Sequence, residues 1–189
     1  MPPSPLDMAD VLFERYPRHR VEVLGGQVSI EPVPDGRHAA ILRDVLAGLY
    51  TAGADCKGGP EAFRQLAIWL PTGPFDYAMP DVSVVDPESD DRMVEFNCYD
   101  PACFRLVLEV TSSAFGDELT RKPAAYAAAE VPVYVVVDRV DRRVVVFTEP
   151  RGAEYRVREV RHPGESFALP PSVGVPVTFA VADLVAVRR

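Results

Sequence analysis

The stretch that organises the chain is FRLVLEVTSSAFGDELTRKPAAY, residues 104 to 126. It begins with an apolar run that is rich in Val and Leu and has the length of a buried strand, yet the run contains the carboxylate of Glu109. Because a buried carboxylate without a partner is strongly destabilising, we expect a cation beside it. A Thr-Ser-Ser turn follows, then a predicted helix that carries Asp117 and Glu118 in its first turn and Lys122 about one turn later. The strand carboxylate and the helix lysine are therefore expected to converge.

A second stretch, FDYAMPDVSVVDP at residues 75 to 87, points to the same place. Asp81 follows Pro80 directly and stands at the entrance of a short apolar strand, Val82 to Val85. Proline is tolerated at the start of a strand, because its missing N–H need not break the ladder there. Asp81, Glu109 and Lys122 together form the pattern of a site in which two carboxylates bind a metal ion beside a lysine. Two carboxylates suit Mg²⁺, which keeps several waters and is commonly shared with a phosphate.

Composition limits the class of protein. The chain has 189 residues, 48% of them apolar, which fits one domain over residues 1–189 with a substantial core. A net charge of -8 argues against general nucleic-acid binding, although a local basic cleft is still compatible with it. Three cysteines without a signal peptide predict a reducing, cytoplasmic compartment. No apolar run approaches the roughly 18 residues that span a membrane.

Periodicity and turn signals predict an α/β chain with a mixed sheet. Helices are predicted at residues 5–16 and 38–50 and from Asp117 to near residue 130. Strands are predicted at 20–24 and 27–32, joined by Gly25-Gly26 as a hairpin, and at 65–70, 81–85, 106–110 and 131–138, the last two parallel. Residues 86–102 are predicted to form a solvated connection with a short helix at 91–96. The segments 143–148, 154–160 and 166–169 are predicted as a meander, and 173–179 and 181–187 close the chain.

Several short sequence motifs occur in an order and spacing that, taken together, are specific for one protein family. They are VEVLGGQVSIEP at 21–32, His38, PDVSVVDP at 80–87, LEVTSS at 108–113, Asp117, Lys122 with Tyr126, VPVYVVVD at 131–138, and Pro-Gly-Glu at 163–165. In these motifs the chain resembles the bacterial Uma-two family of putative restriction endonucleases, a branch of the PD-(D/E)XK nuclease superfamily. The resemblance implies a restriction-endonuclease-like core: a central mixed β-sheet flanked by helices, with an N-terminal hairpin and a C-terminal β-meander.

The same resemblance implies site residues. Asp81 and Glu109 would bind the metal, the backbone carbonyl of Val110 would complete the set of protein ligands, and Lys122 would be the catalytic lysine. Mg²⁺, or Mn²⁺ in its place, would be the cofactor, DNA the substrate and a homodimer the assembly, the dimer by superfamily analogy alone. In such a site the metal stabilises growing negative charge and lowers the pKa of its water, while the lysine orients that water.

The chain departs from the family pattern at two positions. Thr111 stands two residues after Glu109, where the superfamily has a lysine, so activity would depend on Lys122 reaching the same space from the helix. Gln27 stands where family members often carry Glu. Because of these two departures and the negative net charge, an alternative is a nuclease fold that has lost catalysis and binds nucleic acid or protein. A phosphohydrolase acting on small nucleotides is a further alternative.

Single residues also have simpler interpretations. Asp81 is also typical of a turn residue, and Lys122 of a surface partner for Glu118 at i+4. Three residues are candidates for positions beside the site: Glu31, His38 and Asp117. Asp117 is predicted to favour the positive helix N-terminus, with orientation of Lys122 as the alternative. Tyr126 is predicted to pack in the core.

Overall fold

The structure, a computed structural model, describes residues 3–31, 33–87, 89–111 and 117–185. Some sequence predictions fall outside these residues. They are the end of the hairpin at Pro32, the acidic Glu88, the turn residues Ser112 and Ser113, the side chain of Glu118, and the chain end from Ala186.

A six-stranded mixed sheet forms the centre of the fold, with the strand order β10-β9-β8-β7-β6-β3. Only its β7–β8 pair is parallel, as a strand–helix–strand unit requires, and the other pairs are antiparallel. The predictions of a mixed sheet and of the parallel pair are thus confirmed. The strands are β3 Glu61–Arg64, β6 Val82–Val85, β7 Phe104–Val110, β8 Val133–Asp138, β9 Arg143–Arg151 and β10 Glu154–Arg161.

Helices cover both faces of this sheet, which is why β7 and β8 are buried along almost their whole length. α2 Gly36–Thr51 and α4 Val181–Val185 cover one face and α3 Lys122–Ala128 covers the other, whereas α1 Pro5–Arg15 packs on the N-terminal hairpin. Side chains alternate along β7, so Leu106 and Leu108 pack in the cluster that contains α2 and α4. Val107 packs on the opposite face with α3. Glu109 shares that face, and the alternation therefore points it at the start of α3.

A smaller sheet of order β2-β1-β5-β4 brings the N-terminal hairpin to the large sheet. Its strands are β1 Arg20–Leu24, β2 Gln27–Glu31, β4 Ile68–Trp69 and β5 Tyr77–Ala78. Val21 and Val23 of β1 pack against α1 on one side of the strand. The other residues of β1 are buried as well. The alternate residues Arg20 and Glu22 therefore face the interior on the other side of the strand.

The hairpin turn is held by one buried carboxylate. Gly25 and Gly26 both have positive φ, +57° and +72°, which glycine adopts without steric cost. Asp76 accepts the N–H of Gly25 at 2.7 Å, the N–H of Gly26 at 2.9 Å and the hydroxyl of Thr72 at 2.7 Å. Asp76 thereby fixes the register of the strand that carries Arg20 and Glu22.

Replacing Asp76 by alanine should lower the free energy of unfolding by about 2 kcal/mol, because two N–H groups and a hydroxyl lose their acceptor. Urea unfolding of the variant measures the loss. Asp141→Ala is a matched control, since Asp141 is 58% exposed and its pair with Arg143 should contribute less than about 1 kcal/mol. Equal losses in the two variants would contradict the anchoring role of Asp76.

Three predictions about the middle and end of the chain are wrong in detail. The segment 65–70 is not one strand, because Gln65 has a positive φ and only β4, Ile68–Trp69, pairs as a strand. The helix predicted at 91–96 is absent; a 3-10 turn covers Ser89–Arg92, and Phe96 has a positive φ that a helix does not accommodate. The segment 166–169 does not extend the meander: β11 Ser166–Ala168 pairs instead with β12 Thr178–Ala180.

The helix predicted from Asp117 is divided in the structure. A 3-10 turn, Asp117–Leu119, comes first, and α3 begins only at Lys122, with Pro123 in its first turn. Proline suits this position, because its missing N–H has no partner in a first turn. Lys122 is thus the first residue of α3. Within the described residues, no helix is both long and apolar enough to cross a membrane.

Candidate active site

Charged side chains from the two sheets and from α3 meet in the interior beside the end of β7. Six of them form what we call the charge cluster, which consists of the acids Glu22, Glu31, Asp81 and Glu109 and the cations Arg20 and Lys122. Five of the six side chains are at most 8% exposed, and Glu31 is 29% exposed. Charges buried to this degree are stable only when they are paired and hydrogen-bonded.

Lys122 is held between two acids. Its Nζ donates to both carboxylate oxygens of Glu109 at 2.8 Å and lies 2.9 Å from Oε2 of Glu22. The hydroxyl of Tyr126, one turn further along α3, donates to Oε1 of Glu109 at 2.7 Å. Glu22 also accepts the backbone N–H of Met79 at 2.7 Å. Both oxygens of Glu109 therefore have donors from α3.

Asp81 is fixed from two sides at the entrance of β6. Its Oδ2 accepts the backbone N–H of Val110 at 2.8 Å, which ties the aspartate to the end of β7. Its Oδ1 lies 3.0 Å from Nε2 of His38 and 3.1 Å from Nη1 of Arg20. His38 belongs to the first turn of α2, where the carboxylate of Asp35 caps its N–H at 2.8 Å. The Nδ1 atom of His38 is buried and has no hydrogen-bond partner among the described residues.

Arg20 contacts all four acids of the charge cluster. Its guanidinium donates to Glu31 and to the carbonyl of Met79, and its Nη2 lies 3.7 Å from Oε2 of Glu109. Its Nε lies 3.9 Å from Oε1 of Glu22. The planar fork of arginine suits such bridging of several carboxylates.

The charge cluster carries four acids and only two cations, so two acids lack a balancing cation when all six groups are ionised. Burial raises the pKa of Glu109 to about 8, because desolvation outweighs the attraction of Lys122 and Arg20. Burial also acts on Asp81, but contacts with His38 and Arg20 outweigh it and hold the pKa of Asp81 below its ordinary value. The pKa of Lys122 is raised, since Glu109 and Glu22 outweigh the desolvation of the ammonium.

The donor set fits a hard divalent cation. Asp81, directly before β6, and Glu109, on the adjacent antiparallel strand β7, would supply oxygen ligands, and the excess negative charge favours a cation that balances it. Within the described residues, no three His, Cys, Asp or Glu side chains are arranged as a ready-made metal site. The carboxylates instead face Arg20 and Lys122. A cation would therefore use two carboxylates, completed by backbone oxygen and water.

The structure brings most of the residues predicted for the site together. Asp81, Glu109 and Lys122 meet, and Glu31 and His38 contact the same group of side chains. Lys122 is 1% exposed, so the interpretation as a surface partner of Glu118 is wrong.

The other residues considered in the sequence lie elsewhere or act differently. Asp117 contacts Arg121 at 3.4 Å instead of orienting the lysine. The hydroxyl of Thr111 accepts the N–H of Arg139 at 2.9 Å, and the side-chain oxygen of Gln27 accepts from Arg121 at 3.2 Å. Val110 contacts Asp81 through its N–H, a contact that the resemblance did not imply.

Sequence reasoning missed Arg20 and the hydrogen bond of Tyr126. A signal for the first was present: Arg20 and Glu22 alternate with Val21 and Val23, so one face of β1 is charged and the other apolar. Only the position of the hairpin against the large sheet shows that the charged face is buried. Tyr126 follows Lys122 by four residues, which places both side chains on one face of α3.

Comparisons with known proteins agree with this fold. The Uma2 family, described as "Putative restriction endonuclease", matches residues 9–182 of the chain. A solved structure of a putative nuclease belonging to DUF820 from Anabaena variabilis is similar, with a TM-score of 0.69 and 18% sequence identity. The similarity covers 88% of this chain and 89% of that chain. No curated protein sequence matches the chain.

Proposed function

The chain belongs to the Uma2 family of putative restriction endonucleases, and we propose that it is a divalent-metal-dependent endonuclease that hydrolyses phosphodiester bonds of DNA. The observation that carries this proposal is the contact of a buried lysine with an acid on β7, next to an aspartate at the start of the adjacent strand β6. Two acids and an amine at one position are what metal-assisted phosphodiester hydrolysis requires.

Each residue has a role in the proposed mechanism. Asp81 and Glu109, with the carbonyl of Val110, would hold Mg²⁺ or Mn²⁺. When bound, that ion supplies Lewis-acid stabilisation of the phosphate charge and a water of lowered pKa. Lys122 remains protonated between its acidic neighbours, so it can orient the attacking water and offset negative charge as the bond breaks.

Neighbouring groups would keep the two acids in place. Tyr126 donates to Glu109, and the N–H of Val110 donates to Asp81, so neither carboxylate can rotate without losing a hydrogen bond. Partners of this kind commonly contribute 10- to 100-fold to metal affinity or activity, as an order of magnitude. We propose in addition that the protein is a homodimer, since cleavage of both strands of a duplex favours two sites; sedimentation velocity tests this assembly.

Cleavage of supercoiled and linear DNA in the presence of Mg²⁺ or Mn²⁺ tests the proposed activity. Asp81→Asn, Glu109→Gln and Lys122→Met should each reduce the cleavage rate by about 100-fold or more, because the first two replace a carboxyl group that would hold the metal by an amide and the third removes the ammonium. Asp138→Asn is a matched control: Asp138 is a buried carboxylate at the end of β8 that pairs with Arg143, away from the charge cluster. Cleavage that persists equally in all four variants would refute the proposal.

A nuclease fold that binds nucleic acid or protein without catalysis is the second candidate. The observation that favours it is the saturation of Glu109, whose two oxygens already accept from Lys122 and Tyr126. Calorimetric titration with Mg²⁺ separates the two candidates. A non-catalytic protein that has lost its metal should show no binding that depends on Asp81 and Glu109, whereas the proposed endonuclease should lose its Mg²⁺ binding in Asp81→Asn.

A further inference from the structure

The guanidinium of Arg20 lies between the two proposed metal ligands. Its Nη1 is 3.1 Å from Oδ1 of Asp81, and its Nη2 is 3.7 Å from Oε2 of Glu109. A cation that uses oxygens of both acids must come close to the same position. This inference rests on the proposed function, because it concerns the metal site of that reaction.

Burial orders these side chains from the surface inwards. Glu31 is 29% exposed and Arg20 is 8% exposed, whereas Asp81 and Glu109 are 2% and 0% exposed. Arg20 therefore contacts both the most exposed acid of the charge cluster, Glu31, and the two buried acids Asp81 and Glu109.

We propose that Arg20 occupies the place of the divalent cation in the metal-free protein and moves outward, toward Glu31, when the cation binds. Two positive charges cannot share the same carboxylate oxygens without strong repulsion, which is not screened at this depth. The half-buried Glu31 already accepts from Arg20, so the guanidinium keeps a partner after it leaves the buried acids. Arg20 thus stabilises the empty site and lowers its affinity for metal.

Direct measurement of Mn²⁺ binding tests this proposal without any cleavage assay. Isothermal titration should give a dissociation constant about tenfold lower for Arg20→Gln than for the unmodified protein, a difference of about 1.4 kcal/mol. Arg20→Lys should lie between the two, because an ammonium keeps the charge but lacks the planar fork that spans both acids. Arg143→Gln is the matched control and should leave the constant unchanged, since Arg143 pairs with Asp138 and Asp141 elsewhere.

Thermal unfolding with and without Mn²⁺ provides the second measurement. Removing Arg20 leaves its acids to repel one another, so Arg20→Gln should melt at a lower temperature without metal and gain more from Mn²⁺ than the unmodified protein does. If Arg20→Gln folds only with Mn²⁺, that result supports the proposal. The dissociation constant for Mn²⁺ is then compared between Arg20→Lys and the unmodified protein.

The outcomes separate this inference from the proposed function. Mn²⁺ binding that is unchanged or weaker in Arg20→Gln and Arg20→Lys, but lost in Asp81→Asn, overturns the role of Arg20 and leaves the endonuclease proposal standing. Tighter binding in Arg20→Gln without any DNA cleavage supports the role of Arg20 and counts against the endonuclease. Absence of Mn²⁺ binding in every variant and in the unmodified protein overturns both.

Discussion

Replacing Lys122 by methionine is expected to lower the free energy of unfolding by about 3 to 5 kcal/mol. Methionine has nearly the same length, so packing at the start of α3 is largely kept, and the loss reports on charge. Glu109 and Glu22 would lose the ammonium that lies within 2.9 Å of each of them. Urea unfolding at constant pH measures the effect, provided that the slope of the transition is unchanged.

The chain offers a matched control for this experiment, because it contains only one other lysine, Lys57. Lys57 is exposed, and Lys57→Met should change the free energy of unfolding by no more than about 0.5 kcal/mol. A loss of less than about 1 kcal/mol in Lys122→Met would mean that Lys122 is not the charge that balances the buried acids.

Stability is expected to decrease by about 1 kcal/mol for each pH unit between pH 5 and pH 8. The folded protein raises the pKa of Glu109 to about 8, mainly through burial, whereas an unfolded glutamate titrates near 4.5. The folded state therefore binds this proton more tightly than the unfolded chain does. The stabilisation is fully present below pH 4.5 and is lost as the pH rises through 8.

Urea unfolding at several pH values, compared between the unmodified protein and Glu109→Gln, measures this dependence. Glutamine resembles the protonated acid in shape and cannot ionise, so the variant should lose most of the slope between pH 5 and pH 8. Asp81 contributes with the opposite sign, since its pKa is lowered, and that stability is lost only as the pH falls below the usual range of an aspartate. Equal slopes in the two proteins would contradict a raised pKa at Glu109.

The predictable parts of the fold are the long segments with a strong pattern. The apolar runs of β7 and β8 and the helical spacing of α2 are dictated by burial on one or both faces, and the structure has them close to the predicted bounds. The two-residue strands β4 and β5 carry no periodicity of their own. Their positions depend on pairing with β1 and with each other, which no local pattern encodes.

The candidate site was predictable where chemistry conflicted with burial. Glu109 in an apolar strand demanded a cation, and Lys122 was within reach through the following helix. Arg20 and Glu22 gave no such conflict, because a hairpin of alternating residues is commonly solvated on one face. Their role depends on how the small sheet lies against the large one, and that arrangement follows from the tertiary fold alone.

The contact between Lys122 and Glu22 joins residues 100 positions apart in the chain. During synthesis all four acids of the site leave the ribosome before this lysine does, and until then Arg20 is the only cation of the group that they can share. Contacts of such long range also form slowly, because a large loop must close first. We therefore expect the charge cluster to be one of the last regions to become native, with its acids incompletely neutralised until Lys122 arrives.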